Sequence, residues 1–249
     1  MIRSVGHTPT RAWHHAHRRR AKHSALLLLT LLALALILGA AGYFAGVAWQ
    51  ALALGLWQST YRLAGGYVIG LALGAGIALG IGWTKLASGL FPLFDLLQNV
   101  PSFAVLPIFV YFWGYSDFMI ILFTATGVMW PILFAVLTAI KSAHEDLNDA
   151  ATIFGARGWR RIGSYLAPLS FPAIITGSVV GLAIGWESVI GAEIIGGVGG
   201  IGGFINAAGS VGVTPALFAG ILGILAVVFA ANRLLWAPLL SDSARHYAE

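Results

Sequence analysis

Long apolar runs separated by short polar segments dominate the hydrophobicity pattern of this chain. Each run holds about 20 residues or more, and at about 1.5 Å per residue such a helix crosses the roughly 30 Å hydrocarbon core of a membrane. The pattern therefore predicts an all-α membrane protein with about six transmembrane helices. The predicted spans are 25–44, 61–83, 91–113, 118–140, 169–195 and 215–236.

Prolines interrupt several of these spans. The third is expected to break at Asn99-Val100-Pro101, and Pro107 and Pro131 lie inside the third and fourth. Lipid cannot satisfy the backbone groups that a proline frees, so broken helices persist in membranes only inside protein or along a wet cavity. Several broken helices favour a transporter over a simple anchor.

The segments between the spans are predicted to be turns or loops. Residues 45–60 form a connection with Trp49 and Trp57 at the membrane interface, and residues 85–89 form a short turn. A glycine-rich loop is predicted for residues 196–212. Its start resembles a phosphate cradle, but because it follows a membrane helix we interpret it as a flexible or re-entrant turn.

Two spans carry glycines at every fourth position. Small residues at this spacing allow helix backbones to approach closely in lipid. They predict packing within the subunit, with a subunit interface or a moving seam as the alternative. The rows are Gly66-Gly70-Gly74 and Gly177-Gly181-Gly185.

Composition supports a membrane protein. Hydrophobic residues make up 59% of the 249 residues and charged residues 9%, against roughly 25% charged residues in soluble domains. The absence of cysteine excludes disulfides and thiolate metal sites. No histidine falls inside a predicted span, which excludes paired haem ligands there. We predict no metal site and no cofactor in this chain.

Basic residues are distributed unevenly across the predicted membrane. Residues 1–24 form a basic tail, and the segments on the same side hold Lys85, Lys141 and the arginines of 157–161, whereas the opposite side holds Arg62. The positive-inside rule therefore places both termini, including the tail 237–249, in the cytoplasm. We interpret the basic tail as facing lipid headgroups, not nucleic acid.

A Walker-type phosphate-binding loop is absent, because none of Lys22, Lys85 and Lys141 follows a glycine. Any ATP that drives transport is thus expected on another chain. We predict that this chain itself is not an enzyme.

Two acidic residues, Glu187 and Glu193, fall inside the fifth span. A charge there should face the protein interior or water, and six residues place the two about 120° apart around the helix, so no pair is predicted. One interpretation is a proton or coupling-ion site of a secondary transporter. The other is a structural role, with each carboxylate bound to backbone freed by the following glycines.

A polar segment, residues 143–168, separates the fourth and fifth spans. Gly155 and Gly158 predict a turn, after which a second short helix leads to Pro168. The hairpin either lies on lipid with its arginines on headgroups or docks into a partner. Four residues spaced i, i+3, i+4 and i+7 predict an apolar helical face: Leu147, Ala150, Ala151 and Phe154.

This segment resembles the EAA loop of permease subunits of bacterial ABC importers. The consensus begins Glu-Ala-Ala, continues to a glycine and ends Ile-x-Leu-Pro. Here Asp149-Ala150-Ala151, Gly155 and Pro168 keep the register, while Asp149, Tyr165 and Ala167 replace the consensus residues. We expect partner specificity to be set at these three departures.

Further stretches of residues 57–236 resemble the subfamily that imports nitrate, sulfonates and taurine. In the third span they are Pro92-Leu93, Asn99-Val100-Pro101, Leu106-Pro107 and Phe112-Trp113-Gly114. Near the fifth span they are Gly185-Trp186, Ala192-Glu193, Gly199, Gly202 and Ile205.

The resemblance implies a type I ABC importer permease (MetI-like) architecture, with residues 57–236 as the permease core and 143–168 as a cytoplasmic coupling loop. Two permease copies, expected to be identical, would form the pathway in the bacterial inner membrane. Cytoplasmic ABC ATPase subunits would bind ATP and Mg²⁺ and dock on the loop. A periplasmic or lipid-anchored binding protein would deliver a small anion such as a sulfonate, taurine or nitrate.

Candidate residues follow from this resemblance. The expected ATPase-coupling residues are Asp149, Ala150, Ala151, Phe154, Gly155, Arg157, Trp159 and Pro168. The pathway candidates are Asn99, Pro101, Trp186, Glu187 and Glu193. The alternative remains a proton- or ion-coupled secondary transporter that uses Glu187 and Glu193.

Overall fold

The computed structural model of the chain describes residues 30–32, 34, 36–39, 47–143 and 145–239. The predicted tail 1–24, most of the first predicted span 25–44 and residues 240–249 lie outside this set. The chain divides after Val47, and the short apolar helix α1 belongs to the first unit. The helices are α1 (Thr30–Gly39), α2 (Trp49–Ile81), α3 (Lys85–Gln98), α4 (Ser102–Trp113), α5 (Asp117–Lys141), α6 (Glu145–Ile153), α7 (Trp159–Gly196), α8 (Ile201–Ser210) and α9 (Thr214–Leu239).

Four of the described helices, α2, α5, α7 and α9, are long and apolar enough to cross a membrane. Helices α3 and α4 form a fifth span when counted together, and they are bent by 88° at the break between Gln98 and Ser102. The predicted break at Asn99-Val100-Pro101 is therefore confirmed. Pro107 and Pro131 lie inside α4 and α5 without ending them.

Helix α5 lies between α2 and α7, and these three helices form the core. A Cβ atom placed on Gly70 would lie 2.7 Å from the carbonyl oxygen of Ala125, and one on Gly177 would lie 2.8 Å from Cα of Ile132. Backbones this close associate through van der Waals packing, since lipid provides no hydrophobic driving force between helices. Both glycine rows therefore serve packing within the subunit, as predicted.

Three predicted boundaries were wrong. Helix α2 begins at Trp49, not at residue 61, because residues 50–60 are rich in the strong helix formers Ala and Leu and hold no proline. Residues 85–89 form the start of α3, not a turn. The predicted loop 196–212 is mostly helical, because only a short turn at 197–200 separates α7 from α8.

Helix α7 also continues through Pro168, where a break was predicted. Residues Ile162–Leu166 form a π-helical turn, in which the Ala167 N–H donates to the Ile162 carbonyl. A wider turn relieves the clash between the proline ring and the preceding carbonyls. The same device recurs in α9, where the π-turn Asn232–Trp236 precedes Pro238. The predicted short helix and fifth span are thus one helix of 38 residues.

Candidate functional site

A helical hairpin joins α5 to α7 at one end of the core, here called the hairpin end. Helix α6 ends in a turn in which the N–H groups of Phe154 and Ala156 donate to the carbonyls of Ala150 and Ala151, each at 2.9 Å. Gly155 adopts φ 74°, which a glycine takes without strain. The turn predicted from the two glycines is therefore present.

Asn148 ties α6 to the start of α7. Its Oδ1 accepts hydrogen bonds from Arg161 Nη2 and the Tyr165 hydroxyl, both at 3.1 Å. Arg161 Nη1 also donates to Thr152 Oγ1 at 3.4 Å. We did not identify Asn148 from the sequence, although its spacing of four from Thr152 places two polar groups on the helix face towards Arg161.

The hairpin exposes large apolar side chains. Phe154 and Trp159 are each 86% exposed, and Ile153 is 82% exposed. A groove of about 440 Å³ on this hairpin includes Leu147, Ala150, Ala151, Phe154, Gly155 and Tyr165 in its lining. Exposed apolar patches of this kind mark interaction surfaces.

The predicted coupling residues divide into three groups. Ala150, Ala151, Phe154 and Gly155 come together in the groove. Asp149, Arg157 and Trp159 are exposed beside it. Pro168 lies further along α7, beyond the π-turn.

Arg62, Asp117, Glu193 and Ser59 form a polar clamp at the opposite end of the core, here called the clamp end. Arg62 is 5% exposed. Its Nη2 lies 2.6 Å from Asp117 Oδ1, and its Nη1 lies 2.7 Å from Glu193 Oε1. The guanidinium thus joins α2 to the start of α5 and to the end of α7. The Tyr61 hydroxyl donates to the other Asp117 oxygen.

Glu193 is fully buried and also holds α8 in place. It accepts hydrogen bonds from Ser59 Oγ at 2.8 Å and from the Gly202 N–H at 2.9 Å. Ser59 Oγ accepts in turn from the Ile201 N–H at 2.8 Å. The first N–H groups of a helix lack internal partners and favour a negative charge, so the two side chains together cap α8.

The glycine run allows this cap to form. Gly200 adopts φ 133°, and a Cβ atom at this position would overlap the Glu193 carboxylate. The turn therefore passes directly over the carboxylate. The alternative predicted from the sequence, a Glu bound to backbone in the following glycine run, is found at Glu193.

We did not predict the pairing of Arg62 with the two acids. An isolated arginine and two acids near span ends were visible in the sequence, and intramembrane charges usually pair with one another. Which acids pair with Arg62 depends on how α2, α5 and α7 pack. The positions of these residues in the sequence do not determine that packing.

Asn99 and Pro101 lie at the break between α3 and α4. The Asn99 side chain donates to the Asp95 carbonyl at 2.6 Å, and Gln98 donates to the Asp95 carboxylate at 2.8 Å. A pocket of about 290 Å³ lies between this break and α5. Its lining includes Gln98, Ser102, Thr126, Phe123 and Trp130.

Trp186 and Glu187 are neighbours on α7 but have opposite environments. Trp186 is buried, whereas Glu187 is exposed. Within the described part of the chain, Glu187 forms no hydrogen bond or salt bridge. The prediction that Glu187 and Glu193 do not pair is confirmed, because Glu193 is sealed in the clamp.

Known proteins resemble this chain over most of its length. The taurine transport system permease protein TauC of Escherichia coli is 30% identical over 78% of this chain and 69% of its own length. The nitrate import permease protein NrtB of Leptolyngbya laminosa is 30% identical over 76% and 70%. The riboflavin transport system permease protein RibX of Chloroflexus aurantiacus is 32% identical over 74% and 71%.

The family match covers the helices described above. Residues 66–235 match the family described as binding-protein-dependent transport system inner membrane component. This range runs from the glycine row of α2 to the π-turn of α9, and its all-α spans agree with a multi-pass membrane permease. The chain therefore belongs to this family of ABC importer permeases and is of the nitrate, sulfonate and taurine type.

Proposed function

We propose that this chain forms the solute pathway of an ATP-driven importer together with a second permease copy, and couples to a separate ATPase through residues 149–168. The observation that carries this proposal is the apolar groove on the hairpin. Phe154 lies in the groove almost fully exposed, on a segment that is tied to α7 through Asn148. A partner that fills the groove would bury this ring.

A continuous helix would transmit the motion of the partner. Helix α7 runs without a break from Trp159 beside the groove to Gly196 beside the clamp, about 57 Å at 1.5 Å per residue. Movement of the hairpin would therefore shift α7 against the rest of the core. Coupling of this kind is mechanical and requires no catalytic residue in this chain.

The distribution of basic residues supports the orientation. Lys141, Arg157, Arg160 and Arg161 lie at the hairpin end, whereas Arg62 at the clamp end is neutralised by two carboxylates. By the positive-inside rule the hairpin end is cytoplasmic, and so are both termini. ATP and Mg²⁺ would be bound by the partner ATPase there, and a periplasmic or lipid-anchored solute-binding protein would meet the clamp end.

The proposed solute is a small anion or a molecule with an anionic group, such as a sulfonate, taurine or nitrate. Its support is the similarity to permeases named for taurine and nitrate. The relative named for riboflavin shows that permeases at this level of identity carry different named solutes.

The test compares two neighbouring substitutions, Phe154→Asp inside the groove and Ile153→Asp beside it, with the chain co-expressed with a candidate ATPase. Burial of a Phe side chain contributes about 1.5–3 kcal/mol, so Phe154→Asp should weaken copurification of the ATPase roughly ten- to hundredfold and abolish ATP-dependent uptake. Ile153→Asp should retain both. Unchanged copurification with Phe154→Asp would contradict docking at the groove. Uptake that runs on an ion gradient without ATP would support the secondary transporter instead.

A further inference from the structure

The carboxylate of Glu187 lies near the middle of a membrane span. A Cβ atom placed on Gly127 of α5 would lie 2.9 Å from Oγ of the adjacent Ser188, so the two helices are level here. Gly127 is about 15 Å along the helix from Asp117 and about 21 Å from Lys141. Glu187 is therefore close to half-way between the clamp end and the hairpin end.

Glu187 is exposed on the surface of the subunit and has no partner among the described residues. An unpaired carboxylate at this depth is unfavourable in lipid, so such residues face water or another protein. The exposed face of α7 that carries Glu187 should therefore not face lipid.

At one end this face meets the start of α4. Exposed residues of α7 recur at i, i+4, i+7 and i+11 and form one stripe along the helix: Thr176, Val180, Ala183 and Glu187. One turn beyond Glu187, a Cβ atom on Gly191 would overlap the ring of Phe103 in α4. Glu187 is thus one turn from the contact of α7 with the start of α4, where Ser102 lines the pocket.

No cation balances Glu187 on this face in the part of the chain that the structure describes. Arg62 is buried in the clamp, and Lys141 lies 4.0 Å from the ring centroid of Phe91 at the hairpin end. Asp95, whose carboxylate accepts from Gln98 beside the break, is also acidic. A pathway lined by this face would therefore be negative at mid-depth.

We propose that Glu187 lines the water-filled solute pathway and determines its charge preference, favouring solutes that carry an ammonium group, such as an aminosulfonate zwitterion, over simple monoanions. This inference rests on the proposed importer function and narrows its solute class. Two permease copies would bring two such carboxylates to the same depth. Charges that line a low-dielectric pathway raise the local concentration of the opposite charge.

The first test uses the absence of cysteine from the chain. Glu187→Cys is reacted with charged, membrane-impermeant methanethiosulfonate reagents in the assembled transporter. The matched control is Val68→Cys, a 65% exposed apolar position of α2 between two glycines that contact α5 near Thr124 and Ala125. The thiol at position 187 should react more than about tenfold faster, because a thiolate forms only where water reaches it. Equal rates would overturn the proposal, since they place this face in lipid or in a dry contact between copies.

The second test measures charge preference without knowledge of the solute. Ala183→Cys, one turn from Glu187, is reacted with a cationic and an anionic methanethiosulfonate reagent. The ratio of the two rates should fall about tenfold when Glu187→Gln is added, because a single charge about 6 Å away then no longer attracts the cation. An unchanged ratio would overturn the proposal.

Uptake extends the test to solutes. Taurine and 2-hydroxyethanesulfonate differ only in an ammonium group against a hydroxyl. Glu187→Gln should lower the uptake of taurine relative to 2-hydroxyethanesulfonate, measured with the same binding protein and ATPase. If ATP-dependent uptake is intact and the preference for taurine is unchanged, the inference about Glu187 is wrong and the proposed importer function still stands. The proposed function is tested separately, by whether Phe154→Asp weakens copurification of the ATPase.

Discussion

The two ends of helix α7 differ in which side chains they expose and which they bury. At the hairpin end, Phe154 and Trp159 remain exposed although they are apolar. At the clamp end, Arg62 and Glu193 are buried although they are charged, and their polar atoms are bound. The first end therefore leaves apolar surface exposed, whereas the charges of the second end are paired within the subunit. In the proposed coupling, α7 would transmit movement from the hairpin end while the ion pairs at the clamp end stay intact.

The clamp end offers the largest expected effect on stability. Arg62→Met keeps most of the side-chain volume but leaves the buried Glu193 carboxylate without its cation. Removal of one partner of a buried ion pair lowers the free energy of unfolding by about 3–5 kcal/mol. Thermal unfolding in detergent would measure this loss. Arg160→Met, at an exposed arginine of the hairpin, should change stability by less than about 0.5 kcal/mol. If Arg62→Met and Arg160→Met lowered the free energy of unfolding equally, the ion pairs of the clamp end would not contribute more to stability than the exposed arginine of the hairpin end.

The core between the two ends offers an intermediate effect. Gly70→Leu would force α2 away from α5, because even a Cβ atom at this position meets the backbone and Val128. Overpacking of this kind lowers the free energy of unfolding by about 1–3 kcal/mol. Gly76→Leu is the matched control on the same helix, since a Cβ atom there meets no atom within 4 Å. Thermal unfolding of both variants would show whether the stability of the core requires glycine at the helix contact. Equal losses of stability in Gly70→Leu and Gly76→Leu would show that the position of the glycine does not matter.

Local features of the chain were predictable from the sequence, and distant pairings were not. The break at Asn99-Val100-Pro101 and the turn at Gly155 depend on a few adjacent residues, so periodicity and turn chemistry identified them. Arg62 and Glu193 are 131 positions apart, and their pairing depends on the packing of α2 against α7. The continuity of α7 through Pro168 was missed because a proline normally predicts a break, and a preceding π-turn leaves no clear sequence signal.

Glu187 and Glu193 illustrate the same limit within one helix. Helical periodicity correctly separated their faces. It could not show which carboxylate would be sealed by Arg62 and which would remain exposed, because that depends on α2 and α8. Of these two carboxylates, Glu193 is buried and Glu187 is exposed.

The smallest expected effect concerns the tie that holds the hairpin to α7. Asn148→Ala removes the acceptor for Arg161 and Tyr165, which should favour local opening of α6 by about 1 kcal/mol, or roughly fivefold. Hydrogen exchange should therefore become faster in α6 while the unfolding temperature of the core stays the same, since the two lost bonds join α6 only to the start of α7.

Asn148→Asp provides the control, because a carboxylate keeps the acceptor and adds attraction to Arg161. It should restore slow exchange in α6. Faster exchange in both variants would show that the acceptor is not what orders the hairpin. A lowered unfolding temperature with Asn148→Ala would instead show that the hairpin end and the clamp end unfold as one cooperative unit. The two ends would then differ in the polarity of their side chains but not in stability.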